Sequence, residues 1–290
     1  MQVHVVGAGK MGLPMAVHLR VGGHAVTVDD LQPERLALAR EAGLPVRQGP
    51  DALAAADVVL SSLPHDGALL AVAAQVASHA SRGTVYIDTS TVSQEASAQA
   101  ARLLQPAGVQ YLRTTVSGNN KMAEAAQLTV MASGPRATHQ AMLPLLQLLG
   151  PQQFWLGEGE QARLMKLVVN LMIAQTSAML AEALALGRKG GLRWDDLWAV
   201  IGASAVGSPI VKAKGVQLVQ RDFTPTFTVE QMLKDLNLIV DAAAASHVPV
   251  PQTAATLQLM HAAIAQGDGS ADYAAIIKAV ERAAGLGDPP

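Results

Sequence analysis

The chain has 290 residues, half of them hydrophobic and 15% charged, enough to bury a large core and to form two domains. Its formal charge of -2, from 21 basic and 23 acidic residues with no marked block of either sign, leaves no footprint for nucleic acid or an anionic membrane surface. The absence of cysteine excludes a disulfide framework, thiolate zinc sites and a catalytic thiol, and it suits a reducing, cytoplasmic setting.

The first residues are apolar but lack a basic leader, and Gly7, Gly9 and Gly12 interrupt them, so they read as a strand and turn rather than a signal peptide. From there to about residue 158, short β-rich runs alternate with Ala/Leu-rich segments of helical length. VHVVGAG, AVTVDD, DVVLSSLP, TVYIDTST, VQYLRTTVS, LTVMASG and QFWLGE supply the strand candidates. Such alternation predicts a largely parallel sheet covered by helices. After Gly157 the strand signal stops, and helices follow over roughly 160–190, 194–202, 228–246, 251–266 and 272–284. The first of these is unusually long and apolar nearly all the way round, so it is expected to link the two halves and to be covered on most sides. Its greasiest stretch, Leu167 to Leu186, is interrupted by Asn170, Gln175 and Glu182, which suits a buried helix better than a membrane span. No fixed-period repeat is present, and the closing GDPP reads as a frayed end.

The first strand runs into GAGKMG. Gly7 permits a tight turn, Gly9 lets a pyrophosphate approach the backbone, and Gly12 allows the next helix to pack on the sheet, with Lys10 and Met11 completing the loop. Pro14 is tolerated in the first helical turn, and Gly22-Gly23 closes that helix. A lone GxGxxG is a weak signal. Here it follows a strand, opens a helix, and is followed by Asp29-Asp30 at the end of the second strand, which is the context of a dinucleotide site. A carboxylate there accepts hydrogen bonds from the adenosine ribose and repels a 2′-phosphate, so NAD is favoured over NADP. Only one of the pair need face the ribose; Asp30 is chosen and Asp29 held in reserve. The predicted fold is α/β: a Rossmann-type, doubly wound, largely parallel sheet over residues 1–160, joined by a long helix to an all-α substrate and oligomerisation domain over 161–290.

At VVGAGKMGLPMAVHL the chain resembles the β-hydroxyacid dehydrogenases, the family of 3-hydroxyisobutyrate dehydrogenase, tartronate semialdehyde reductase and, more distantly, 6-phosphogluconate dehydrogenase, whose pattern there is GxGxMGxPMAxxL. The resemblance continues in order through SSLP at 61–64, DTSTV at 88–92, TVSGNN at 115–120, KLVVN at 166–170 and MLKDLNL at 232–238. It implies that Leu63, Pro64 and Thr91 line the nicotinamide side of the cofactor. The residues alone place them at the carboxyl ends of strands, where ligands bind open α/β sheets, or in plain strand-to-helix loops.

Oxidation of an alcohol needs a base that takes the hydroxyl proton as hydride leaves for the nicotinamide. Lys166 is the candidate. It lies in the apolar stretch LMKLVVNLMIA, with Asn170 one helical turn later, and desolvation there would lower its proton affinity toward working pH. Residue type alone leaves open a lysine snorkelling from a helix edge. The family's KxxNN motif carries its catalytic lysine at the position of Lys166, and the resemblance gives Asn170 the substrate hydroxyl or carboxylate; Val169 stands where relatives have a first asparagine. Ser117, Gly118 and Asn119 correspond to the family's substrate-binding SGG, whose hydroxyl and N–H groups suit an acid's carboxylate, although a simple turn is the other reading. The usual DAPVSGG reads RTTVSGN here, and Arg113, Thr115 and Asn119 make 3-hydroxyisobutyrate itself a less secure substrate than the reaction class. Asn120 and Lys121 either add polar contacts to the acid or are solvated loop residues, and neither is taken as a site. Lys234 matches a family lysine that approaches the cofactor; the alternative is a solvated lysine beside Asp235, since adjacent residues on a helix do not face each other.

The histidines show no metal-ligand spacing, and no metal is expected. The leading reading is an NAD-dependent 3-hydroxyacid dehydrogenase acting on a small molecule, without nucleic acid or membrane, assembled as a homodimer or homotetramer as the resemblance implies. The competing readings are an imine or ketone reductase of the same fold, whose members usually lack the lysine, and a non-catalytic dinucleotide-binding regulator.

Overall fold

Each of the seven β-rich runs forms a strand in the computed structural model, which describes residues 1–287: β1 (Gln2–Val6), β2 (Ala25–Asp29), β3 (Val58–Ser61), β4 (Val85–Asp88), β5 (Gln110–Ser117), β6 (Thr129–Ser133) and β7 (Gln152–Trp155). Asp288–Pro290, within the GDPP end expected to fray, lie outside the described residues. The strands make one sheet in the order β2-β1-β3-β4-β5-β6-β7, parallel throughout except where β6 runs antiparallel to β5. Seven helices belong to this part: α1 (Gly12–Val21), α2 (Pro33–Glu41), α3 (Pro50–Ala54), α4 (Asp66–His79), α5 (Gln94–Ala107), α6 (Asn120–Glu124) and α7 (Arg136–Gln147).

The strands β3 and β4 are buried along their whole length because both sheet faces are covered there. On β3 and β4, Leu60, Val85 and Ile87 enter one core with Met15 and Leu19 of α1, while Val59 and Tyr86 enter another with Leu69 and Val76 of α4 and Leu104 of α5. Burial of one such aliphatic side chain stabilises by about 1.5–3 kcal/mol, so the alternating registers specify which face each strand residue takes. The chain passes from β1 out to β2 and returns to β3 on the other side of β1, leaving a switch point between the carboxyl ends of β1 and β3, where open sheets bind ligands.

The chain divides into two compact units, Met1–Lys166 and the residues from Leu167 onward. The division falls inside α8 (Gln161–Lys189), which α9 (Trp194–Ala203), α10 (Pro209–Val219), α11 (Val229–Ala245), α12 (Pro251–Ala265) and α13 (Ile276–Ala283) follow. The second unit is helical around a core that includes Leu184, Val211, Leu218, Met232, Leu236, Ile239, Met260 and Ile276. The helix α10 is absent from the sequence expectation, although its start carries a signal: Ser208 caps the Val211 N–H, followed by Pro209 in the first turn.

The expectation that α8 is covered on most sides is corrected. Leu164, Val168, Met172, Met179 and Leu186 are 44% to 77% exposed, and their spacing of four and seven residues puts them on one face. The opposite stripe, including Ala174, Ala178, Ala181 and Leu184, is buried in the helical core. By length and composition alone α8 is long and apolar enough to cross a membrane.

Candidate active site

The glycine loop is built where β1 turns into α1. Gly7 has φ +95°, its N–H donates to the Asp29 carbonyl at 2.9 Å, and a Cβ on it would lie 2.4 Å from the Ser62 carbonyl oxygen. A Cβ on Gly12 would lie 1.8 Å from the Gly7 oxygen, so neither position admits a side chain. Gly9 differs: nothing lies within 4 Å of its would-be Cβ, which leaves the backbone open to a ligand. Met11 gives α1 no side-chain cap and the first turn holds no acid, so although the Leu13 N–H is given to the Gly9 carbonyl at 3.1 Å and Pro14 has none, the positive end of the helix dipole is open to an anion. Lys10 is exposed beside this turn, while Met11 packs on the core.

Asp30 borders the same loop. One carboxylate oxygen accepts the Ala8 N–H at 2.7 Å and the other the Gln32 N–H at 2.9 Å, whereas Asp29 takes a hydrogen bond from Gln48 at 2.9 Å. Each Asp30 oxygen keeps lone-pair capacity for a further donor. The open Gly9 face, the uncapped helix and this carboxylate together fit the pyrophosphate and ribose of a dinucleotide.

Leu63 and Pro64 leave β3 next to this loop, and Thr91 follows β4. The strand ends are joined directly: the Thr89 N–H and hydroxyl both donate to the Ser61 carbonyl, at 2.8 and 2.7 Å, and the Leu63 N–H donates to Ser90 Oγ at 2.8 Å. Ser93 then caps α5, donating its hydroxyl to Asp66 and accepting the Ala96 N–H.

Ser117 ends β5, and Gly118 follows with φ +137°. Asn119 Oδ1 accepts the Met122 N–H at 3.0 Å, capping α6, a helix absent from the sequence expectation. The Asn119 side-chain oxygen is therefore engaged in the fold, and its amide N–H groups and backbone are what it can offer an acid. The departures at Arg113 and Thr115 have a structural explanation. Arg113 pairs with Glu160 at 2.6 Å and lies over the Tyr111 ring, and Thr115 donates to the Ala162 carbonyl at 2.9 Å. Both fasten β5 to the entry of α8, a role the sequence could not display because the partners are some 47 residues away.

On α8, Lys166 is half-buried and Asn170 is 4% exposed one turn later, with Val169 half-buried between them. Asn170 Nδ2 donates at 2.5 Å to Asp235, itself 1% exposed, and the other Asp235 oxygen is ion-paired with Lys234 at 2.8 Å. The expectation that Lys234 and Asp235 do not meet is thus corrected: a long, flexible lysine reaches the carboxylate beside it. Sequence reasoning missed Asp235 as a site residue, but it left a sign. Met232, Asp235, Leu236 and Ile239 share the buried face of α11, and an acid in that row needs a partner.

Residues 2–157 match the family described as "NAD binding domain of 6-phosphogluconate dehydrogenase", and residues 160–280 match "NAD-binding of NADP-dependent 3-hydroxyisobutyrate dehydrogenase". A 2-(hydroxymethyl)glutarate dehydrogenase of Eubacterium barkeri is 32% identical over 98% of this chain and 96% of its own length. The structure of 3-hydroxyisobutyrate dehydrogenase from Mycobacterium tuberculosis, solved with L-serine, superposes with a TM-score of 0.88 at 29% identity, covering 96% of this chain and 98% of that one. An imine reductase from Pseudomonas sp. shares the fold at a TM-score of 0.60 and 21% identity, covering 96% and 98% of the two chains. Along nearly its whole length, the chain thus belongs to the β-hydroxyacid dehydrogenases of the 3-hydroxyisobutyrate dehydrogenase type, NAD(P)-binding oxidoreductases of hydroxy acids.

Proposed function

We propose that this protein is an NAD-dependent dehydrogenase of small 3-hydroxy acids, running either as alcohol oxidation or as reduction of the carbonyl product. The observation that carries the reading is the pairing of Lys166 with Asn170 on one turn of an apolar helix, Asn170 being held in place by a buried carboxylate. When bound, the nicotinamide supplies the hydride acceptor. Lys166 takes the hydroxyl proton as the alcohol is oxidised and returns it in reduction. Asn170 keeps one amide hydrogen and its carbonyl oxygen for the substrate, since Asp235 uses the other hydrogen. The Ser117 hydroxyl and the N–H groups around Gly118 and Asn119 receive the carboxylate.

Gly7, Gly9, Lys10, Met11 and Gly12 hold the cofactor's pyrophosphate, Leu63, Pro64 and Thr91 border its nicotinamide, and Lys234 is assigned to cofactor binding by its match to the family motif. NAD is preferred to NADP because a 2′-phosphate would stand against the Asp30 carboxylate. The substrate class is supported by chemistry shared between relatives: 2-(hydroxymethyl)glutarate and 3-hydroxyisobutyrate both carry a hydroxymethyl group on the carbon that bears the carboxylate. We further infer a cytoplasmic homodimer or homotetramer, to which the apolar face left exposed on α8 is suited.

The test is NAD reduction by the purified protein over a panel of 3-hydroxy acids, beside NADP and beside Lys166→Ala. Turnover of one acid with NAD, lost in the variant, supports the proposal. Tight NADH binding with no turnover of any acid would instead favour a dinucleotide-binding regulator.

A further inference from the structure

Arg163 is the largest fully buried side chain among the described residues, one turn before Lys166 at the root of α8. Its guanidinium donates to the Asp88 carboxylate, to the Ser90 carbonyl at 2.7 Å, to Ser97 Oγ at 3.1 Å and to the Tyr111 hydroxyl at 2.9 Å. Neither Arg163 nor Asp88 has any side-chain exposure. The remaining Asp88 oxygen accepts from Ser61 Oγ at 2.5 Å and Ser90 Oγ at 2.6 Å, and the Ser61 hydroxyl also meets Tyr86 at 2.8 Å. Ser90 Oγ in turn accepts the Leu63 N–H. Burial keeps both tyrosines neutral by pushing their ionisation upward, so within this cluster the only charges are those of the pair.

A buried ion pair is a poor way to gain stability, because desolvation offsets most of the attraction. What this one supplies is geometry. Asp88 ends β4, Ser61 ends β3, Ser90 begins the loop to Thr91, Leu63 lies in the other loop, and Arg163 is the only member from α8. We propose that the Arg163–Asp88 pair with Ser90 is a positioning device that joins the two nicotinamide-side loops to the helical turn preceding Lys166. The cofactor's reactive ring and the proton carrier are then held by one saturated hydrogen-bond network, and loss of a link displaces the loops against the helix while the hydrogen bonds that shape the glycine loop and seat Asp30 stay in place. The inference rests on the proposed reaction for the roles of Lys166 and the loops, so its first test does not use turnover.

Ser90→Ala deletes the oxygen that links Leu63 to Asp88 and changes little volume. NADH and ADP-ribose are titrated against this variant and the wild-type protein; ADP-ribose carries the pyrophosphate and ribose but no nicotinamide. The expected result is NADH affinity weaker by about three- to tenfold, the worth of one lost hydrogen bond, with bound NADH emission moved toward that of free NADH and ADP-ribose affinity unchanged. Equal weakening of both ligands, or of neither, overturns the proposal. Arg163→Lys keeps the charge and loses the fork. If it folds, it should show the same split between ligands and, on whichever acid the wild type turns over, a kcat reduced about tenfold or more with KM little changed. An unchanged kcat in folded Arg163→Lys also overturns the link to Lys166; if that variant does not fold, the Ser90→Ala titrations decide. Wild-type protein that binds NADH but oxidises no acid counts against the proposed reaction and leaves the ligand split as a separate result.

Discussion

Replacing Lys166 by alanine removes the proposed proton carrier but none of the contacts that shape the glycine loop. We expect kcat to fall by about a hundred- to ten-thousandfold, the range of a lost general base, while NADH affinity by fluorescence titration stays near that of the wild type. A smaller loss in kcat would mean that the proton leaves by another route. Asp30 holds the Ala8 N–H and, by the proposed reading, also faces the ribose. Asp30→Ser should weaken NAD binding by about tenfold or more, as charge-assisted hydrogen bonds are lost, and narrow the preference over NADP; an unchanged NAD to NADP ratio of kcat/KM would remove Asp30 from the ribose. Both residues are visible in the sequence because they stand in motifs with a mechanism. Asp235 and Arg163 are not. Each is a charged residue in a helical pattern whose meaning comes from a partner, and those partners lie 65 and 75 positions away along the chain.

At the scale of elements, the second unit depends on loops as much as on helices. Asp272 is fully buried and accepts from Lys214 at 2.6 Å, from the Thr226 N–H and hydroxyl, and from the Ala274 N–H, joining α10 to the segment before α11 and to the turn before α13. Burial opposes its charge, but the Lys214 ammonium and these donors outweigh it and hold its carboxyl below the ordinary value. An aspartate with a lowered folded-state pKa contributes stability that is full above its unfolded value, about 3.9, and is lost as pH falls through the folded one. Melting temperature should therefore drop on acidification below about pH 4, and less so in Asp272→Asn. That variant should itself cost about 3 kcal/mol near neutral pH, as for a buried pair that loses one partner, or a melting shift of roughly 10 °C. A variant as stable as the wild type would mean that Lys214 is already solvated. Helices with apolar periodicity and caps, such as α11 with Thr228 and Gln231 in a capping box, are legible from sequence. The five-residue α6 is not, because one turn has no period to recognise and its cap, Asn119, also occupies the motif proposed to bind substrate.

For the whole molecule, the exposed face of α8 is the feature with the largest consequence. Leu164, Val168, Met172, Met179 and Leu186 present an apolar row in the single chain, broken by the exposed Glu182, and such a row is costly to leave in water. Sedimentation should give a mass of two or four chains, and Met172→Glu with Met179→Glu should shift it toward one; a wild-type monomer would count against the assembly. The α/β class, the seven strands in order, the dinucleotide loop, the long helix and the polar pair on it are legible in the chain alone, because each is written in local periodicity, in glycine stereochemistry or in an ordered set of motifs. Tertiary structure decided which aspartate of Asp29-Asp30 meets the glycine loop, why Arg113 and Thr115 replace the usual residues of their strand, which face of α8 is covered, and that Arg163 and Asp235 are bound to distant acids and amides. Those are questions of partnership between residues far apart in the chain, and burial and hydrogen-bond geometry, which answer them, exist only once the chain has folded.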